Sequence, residues 1–128
     1  MHVAHERLDP DVFGILQIPA EGRPLIHLNS GDGRLRRRFT CAHELGHYCK
    51  RAEEGSHAEH IAYRDETTSK GTDVEERFAN AFAAALLMPE HLVEQRFALG
   101  EGETEMADFF EVSEAALVNR LKSLGLYF

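Results

Sequence analysis

Short apolar runs separated by turn residues occupy the beginning of the chain. The runs cover residues 3–8, 13–18 and 25–28, and the segments between them contain proline, glycine or aspartate. Runs of this length, bounded by turn-forming residues, are typical of β-strands. Residues 1–30 are therefore predicted to be β-rich and to form a small antiparallel or mixed sheet.

A helical periodicity follows the glycine-containing turn at residues 31–33. Asp32 is predicted to cap the start of a first helix over residues 33–51. When positions are placed about 100° apart around a helix axis, its small and apolar side chains share one broad face. That face carries Cys41, Ala42, Leu45, Tyr48, Cys49 and Ala52.

A second helix is predicted over residues 73–88, and its second half is apolar nearly all round, which is typical of a central helix. Pro89 ends this helix or begins the next one. Residues 89–128 are predicted to form short helices, the last capped by Ser113 and followed by Gly125. The predicted fold class is α+β, with the small sheet packed on a helical bundle.

The charge balance bears on the choice of partner. The chain has 128 residues, 22 of them acidic and 14 basic, with a formal net charge of -8. A single domain is expected at this length. Because nucleic-acid binding depends on a cationic surface, the acidic balance argues against it and suits a basic protein partner.

The sequence contains no segment that predicts membrane insertion. Its longest apolar run, residues 81–88, is much shorter than the ~20 residues needed to cross a bilayer. The first residues form no signal-peptide core, so a soluble cytoplasmic protein is expected. Cys41 and Cys49 would lie about 12 Å apart along one helix, which is beyond disulfide reach, and both are predicted to be reduced thiols.

The strongest chemical signal is a pair of histidines spaced four apart in the first helix. His43 and His47 would lie only about 40° apart around the axis, so both imidazoles can reach one metal ion. Glu44 then stands beside that ion at the position of a general base. Both histidines fall opposite the apolar face, which leaves two alternatives: a solvated pair or a cleft.

The second helix offers a third metal ligand. Glu76 is assigned that role, because a set of two histidines and one glutamate leaves the fourth tetrahedral position for water. Asn80 lies on the same face, where it could hydrogen-bond a ligand. The alternative for both Glu75 and Glu76 is an acidic residue in the first turn, favoured by the helix dipole, and Glu75 is assigned only that role.

These residues also carry a family resemblance. Residues 38–47, followed by Glu76, Asn80 and residues 82–89, resemble the ImmA/IrrE family of metallopeptidases. The likeness extends over residues 13–125.

The resemblance implies a fold, a cofactor and a substrate class. It implies a gluzincin-like, zincin-like minimal metallopeptidase domain over residues 1–128, with one Zn²⁺ per chain. His43, His47 and Glu76 match the ligand positions of the family, and Glu44 matches its catalytic glutamate. Members of the family cleave, or promote the cleavage of, Xre-type helix-turn-helix repressors, and others accompany toxin–antitoxin-like pairs. An Xre-type repressor or an antitoxin is therefore the expected substrate.

A short alternating segment precedes the second helix and could form an edge strand. A peptidase needs a donor for the oxyanion besides the metal, and His60, Tyr63 and Arg64 are the candidates. An edge strand beside the cleft could also pair with an extended substrate. The alternative is that all three are exposed strand residues.

Two further features are weaker. Arg34, Arg36, Arg37 and Arg38 crowd the start of the first helix, either as a solvated or stem-packed face or as a docking patch for an acidic segment. The pattern of residues 104–125 resembles a helix-turn-helix motif. They carry four carboxylates against two cations, which argues against a DNA-binding module.

Two functions remain after these exclusions. The first is a zinc-dependent endopeptidase acting on a regulatory protein. The second is a metal-stabilised binding module that sequesters its partner without cleaving it, because a complete zinc site does not guarantee a productive substrate geometry.

Overall fold

The fold combines a small sheet with helices, as predicted. The computed structural model describes residues 1–64 and 74–127. Within these residues the strands are β1 (His2–Glu6), β2 (Val12–Gln17), β3 (Leu25–Asn29) and β4 (His60–Tyr63). The helices are α1 (Arg34–Glu53), α2 (Val74–Leu87), α3 (Glu90–Ala98), α4 (Glu103–Phe110) and α5 (Glu114–Ser123). The fold class is therefore α+β.

The sheet is mixed, with the strand order β1-β3-β2-β4. Strands β2 and β3 pair antiparallel, as expected for neighbours joined by a short connection. Strand β1 lies on the other edge of β3 and runs parallel to it. Strand β4 pairs antiparallel with β2 and forms the opposite edge of the sheet.

Helix α1 covers one face of the sheet with part of the apolar face that its periodicity predicts, whereas Cys49 and Ala52 of that face are exposed. Cys41, Leu45 and Tyr48 pack against a core formed by the strand residues Leu16, Ile18, Ile26 and Leu28. Gly14 of β2 allows this close packing, because a Cβ atom there would lie 2.7 Å from Cγ2 of Thr40.

The start of α1 differs from the prediction. Gly33, in an extended conformation, is the N-cap residue, and no side chain caps the helix. Asp32 does not cap it, and its Oδ1 instead lies 2.5 Å from Nη2 of Arg64. The helix also continues two residues beyond the predicted end at residue 51.

The chain divides into two compact units, Met1–Ala83 and Ala84–Phe128. The first contains the sheet, α1 and most of α2. The second has an apolar core of its own, formed by Met88, Val93, Met106, Ala107, Phe110, Val112, Leu117 and Leu121.

The predicted cap of α5 is present in the second unit. The Ser113 hydroxyl accepts a hydrogen bond from the backbone N–H of Ala116 at 3.1 Å. Gly125 follows the helix with a φ of 73°, a left-handed conformation that glycine adopts without strain. Within residues 1–64 and 74–127, no helix combines the length and apolar character needed to cross a membrane.

Candidate metal centre

Helix α1 buries the polar residues of its histidine motif. His43 is 8% exposed, and Glu44 and His47 are both completely buried. The structure therefore excludes a solvated histidine pair. Buried imidazole and carboxylate groups need polar partners, and these partners come from α2 and β4.

A close approach of α2 to α1 places Glu76 beside the histidines. The approach depends on Gly46, since a Cβ atom there would lie 3.0 Å from Cα of Ala79 and 3.1 Å from Cβ of Phe82. Ala79 is itself completely buried. The glycine inside the motif therefore has a packing role that the sequence analysis did not assign.

Four side chains converge on one point. Nε2 of His43 lies 3.1 Å from Nε2 of His47. The Glu76 carboxylate reaches both rings, with Oε1 3.3 Å from Nε2 of His43 and Oε2 2.7 Å from Nε2 of His47. His60 joins them through its own Nε2, which is 2.9 Å from Oε2 of Glu76. One donor atom from each of these four residues lies within 4.8 Å of the others.

His60 links this cluster to Glu44. Its Nδ1 lies 2.7 Å from Oε1 and 3.1 Å from Oε2 of Glu44. Its ring stacks on His47 at a centroid distance of 3.6 Å. The alternative of an exposed strand residue is wrong for His60, which is 9% exposed. His60 is predicted from the sequence only as an oxyanion or substrate donor, whereas the structure places it among the potential metal ligands.

Glu75 contacts the Nδ1 atom of His47, the ring nitrogen that faces away from the cluster. Its Oε2 lies 2.5 Å from Nδ1 of His47 and accepts a hydrogen bond from Nε of Arg51 at 2.8 Å. The prediction that Glu75 serves only the helix dipole is therefore wrong. Asn80 makes no such contact with the histidines among the residues described, so the carboxylate of Glu75 supplies the hydrogen bond that the sequence analysis assigned to Asn80.

The charges in the cluster stabilise one another. Burial alone would raise the pKa of Glu76, but hydrogen bonds from His43, His47 and His60 lower that pKa far below its usual range. Burial would likewise lower the pKa of His60, but its hydrogen bonds to Glu44 and Glu76 raise the pKa to about 9. Burial opposes ionisation of Glu75 as well, yet hydrogen bonds from His47 and Arg51 lower its pKa.

The donor set fits a metal ion. Imidazole nitrogens and carboxylate oxygens are the donors that zinc takes in catalytic sites. In a neutral His47, the hydrogen bond from Nδ1 to Glu75 leaves the lone pair on Nε2, which faces the cluster. Within residues 1–64 and 74–127, the buried Nδ1 of His43 has no hydrogen-bond partner. The polar contacts of that ring are therefore made by Nε2, on the cluster side.

A pocket of about 400 Å³ opens beside His43 and Glu76. Its lining combines aromatic and polar side chains from the sheet and both helices: Phe13, Phe39, Tyr63, Arg36, Arg77, Thr40, Ala62 and Asn80. Its volume falls within the range of small-molecule binding sites. A substrate in this pocket would lie directly against two of the potential metal ligands.

The three predicted oxyanion donors have different positions. His60 lies within the cluster, and Tyr63, which is 38% exposed, lines the pocket. The Arg64 side chain instead donates hydrogen bonds to the Pro10 carbonyl and to Asp32. The strand that carries the first two residues is at the edge of the sheet, as the sequence predicts.

Comparison with known families supports a peptidase fold. The chain matches the family model described as Peptidase M78, IrrE N-terminal-like domain, over residues 1–122. The match includes all four residues of the cluster together with Glu44. A comparison with curated proteins gives no significant match.

Proposed function

Because the chain belongs to the IrrE N-terminal-like family of M78 peptidases, we propose that it is a zinc-dependent endopeptidase that hydrolyses a peptide bond in a regulatory protein. One observation carries the proposal: four side chains that could hold a metal ion converge beside a fully buried glutamate. Metal ligands without a neighbouring base would be consistent with a purely structural metal site. The carboxylate of Glu44 next to them adds the base that hydrolysis requires.

His43, His47 and Glu76 would hold the ion, and Glu75 would orient His47. The bound zinc would supply Lewis acidity and lower the pKa of a water molecule towards ~7. Glu75 acts through the imidazole, since a carboxylate on Nδ1 fixes the ring orientation and makes Nε2 a better ligand.

Glu44 is the proposed general base. Its carboxylate accepts the proton of the attacking water and delivers it to the leaving amine nitrogen, so that the carboxylate is regenerated at the end of the cycle. His60 holds this carboxylate through Nδ1. The contact restricts Glu44 to one orientation beside the donor cluster, which favours proton transfer in a fixed geometry.

The pocket and the edge strand would receive the substrate. Strand β4 can pair with an extended peptide through its outer edge. Tyr63 lies on that strand and lines the pocket, so its hydroxyl is the proposed oxyanion donor. Arg64 is less suited, because Asp32 and Pro10 already bind its guanidinium.

The proposed substrate is an Xre-type helix-turn-helix repressor or an antitoxin. Family membership supports this class, and so does the net charge of -8, since a DNA-binding protein presents a basic surface. The proposal implies that the protein acts in the cytoplasm, where such repressors bind DNA, and that it does not itself bind nucleic acid.

A metal-stabilised binding module is the second candidate, and His60 is the observation that favours it. If all four residues of the cluster bound the ion, its tetrahedral coordination would be complete and no position would remain for water. The protein could then hold a partner without cutting it. The two candidates therefore differ in whether Nε2 of His60 binds the metal.

The decisive experiment uses the helix-turn-helix protein encoded nearest to this gene as substrate. We expect the zinc-loaded wild type to cleave it on co-expression. Glu44→Gln should retain about one zinc per chain and lose cleavage, because the amide cannot accept the proton. His47→Ala should lose the metal. His57→Ala is the matched control, since His57 is exposed and outside the cluster.

Two results would contradict the proposal in different ways. If the wild type and Glu44→Gln both bind the repressor and leave it equally intact, the binding module is the correct function. If freshly purified wild type contains no metal, both candidates fail.

A further inference from the structure

Two arginines line the pocket, and neither has a carboxylate partner within residues 1–64 and 74–127. Arg36 of α1 and Arg77 of α2 both contribute to its wall. Neither forms an ion pair or a hydrogen bond with its side chain among the residues that the structure describes. Arg51, Arg64 and Arg96, by contrast, each pair with a carboxylate, at 2.8, 2.5 and 2.7 Å respectively.

An aromatic ring holds Arg36 in place. Its guanidinium carbon lies 4.4 Å from the centroid of the Phe13 ring, and that of Arg64 lies at the same distance. A cation–π contact does not use the guanidinium N–H groups for a hydrogen bond to a carboxylate, so these donors remain available. Arg36 is thus positioned without using its hydrogen-bonding groups.

Cations outnumber carboxylates among the described residues that line the pocket. The chain carries a net charge of -8, yet Glu76 is the single carboxylate among the lining residues described. The histidines of the cluster surround that carboxylate. Among the described lining residues, the part of the pocket nearest to Arg36 and Arg77 therefore carries more positive than negative charge.

We propose that Arg36 and Arg77 form a subsite that binds an acidic side chain of the substrate. The inference rests on the proposed peptidase function and specifies its substrate. Two guanidinium groups from different helices can bind one carboxylate between them, and such charge-assisted hydrogen bonds are stronger and more directional than neutral ones. Phe13 and Phe39 would contact the apolar part of the bound residue.

The helix geometry limits how far the acidic residue lies from the scissile bond. Arg36 precedes His43 by seven positions on α1, which is roughly 10 Å along the helix axis. Arg77 directly follows Glu76. An extended peptide advances about 3.3 Å per residue, so the acidic residue should lie within about three residues of the cleaved bond.

The free C-terminus of a peptide also carries a carboxylate, which could bind the two arginines in place of an acidic side chain. Peptides amidated at the C-terminus lack that carboxylate and retain only side-chain carboxylates. If the amidated form of a peptide is cleaved as fast as the free acid, the recognised group is the side chain. If amidation abolishes cleavage, the pocket binds the terminal carboxylate and the proposal is wrong.

The test begins with a mixed library of amidated peptides and zinc-loaded wild type. Sequencing the products should reveal enrichment of aspartate or glutamate at one position within three residues of the cut. A matched peptide pair with Glu or Gln at that position is then compared in kcat/KM, where we expect the wild type to prefer Glu by at least about tenfold.

Variants of the two arginines test the assignment. Arg36 and Arg77 are both exposed, so Arg36→Gln and Arg77→Gln should each lower the Glu-to-Gln preference by about two- to fivefold, as expected for exposed charge pairs. Arg36→Glu should shift the preference towards a peptide with Lys at that position. Arg37→Gln is the control, since it makes the same charge change on the same helix but residue 37 does not line the pocket.

The readout is a ratio of two substrates within each variant, so a partly unfolded sample does not alter it. A merely structural role for the arginines would lower kcat/KM for both peptides equally and would contradict the subsite. Cleavage without acidic enrichment would overturn the subsite alone. A zinc-loaded wild type that cleaves neither the library nor the repressor would overturn the peptidase function as well.

Discussion

The Nδ1 atom of His47 lies 2.5 Å from a carboxylate oxygen of Glu75, the residue next to Glu76 in the sequence. The two neighbouring glutamates thus contact opposite nitrogens of one imidazole ring, because Glu76 lies 2.7 Å from Nε2. Arg51 forms an ion pair with the same carboxylate of Glu75, with Nε 2.8 Å from Oε2. The beginning of α2 therefore supplies both a potential ligand and the group that orients another ligand.

Removing the charge of Glu75 should weaken metal binding without abolishing it. We expect Glu75→Gln to lower the zinc affinity by roughly 10- to 100-fold, as is typical when a carboxylate behind a ligating histidine is lost. Competition with a chromophoric chelator measures the change. Glu90→Gln is the control, because Glu90 also lies in the first turn of a helix and is not part of the cluster. Equal affinities of the two variants would contradict the role of Glu75.

Gly46→Ala tests the close approach of the two helices. Helix propensity alone predicts a gain of up to about 1 kcal/mol from replacing a mid-helix glycine by alanine. The new methyl group would press on Ala79 and Phe82, so we expect instead a loss of about 1–3 kcal/mol in the free energy of unfolding. Urea denaturation measures it, and a more stable variant would refute the packing role. Zinc affinity should fall as well, since Glu76 would move away from the histidines.

His60→Ala separates the two candidate functions. If His60 positions Glu44, the variant should keep about one zinc per chain and lose roughly 10- to 100-fold in kcat, with KM little changed. Metal analysis and steady-state kinetics measure these quantities. A large loss of zinc affinity would instead indicate a closed four-ligand site and favour the binding module.

The two cysteines should react at different rates. Burial and the charge of Glu44 raise the pKa of Cys41, whereas Cys49 is exposed. Because the thiolate is the reactive form, a thiol reagent at neutral pH should modify Cys49 at least about tenfold faster. Cys49→Ser should remove the fast phase and leave the slow one. Two phases of equal rate would contradict the difference in environment.

Much of the fold follows from local patterns in the sequence. The 3.6-residue period of α1 placed Cys41, Leu45 and Tyr48 on the face that packs against the sheet. The cap formed by Ser113 and the left-handed Gly125 also depend on neighbouring residues alone. The family membership predicted from the motifs is confirmed. The parallel pairing of β1 with β3 could not be predicted from local patterns, because it depends on which edge of the β2–β3 pair β1 joins.

Within the site, the sequence by itself brought His43 and His47 together, because four residues along a helix return a side chain to the same face. Only the tertiary structure decided which side chains Glu75, His60 and Arg36 contact. Their contacts join α1 to α2, β4 and β2 respectively, elements whose relative positions no local period records. Their placement depends on packing between distant segments, which Gly14 and Gly46 permit by the absence of a side chain.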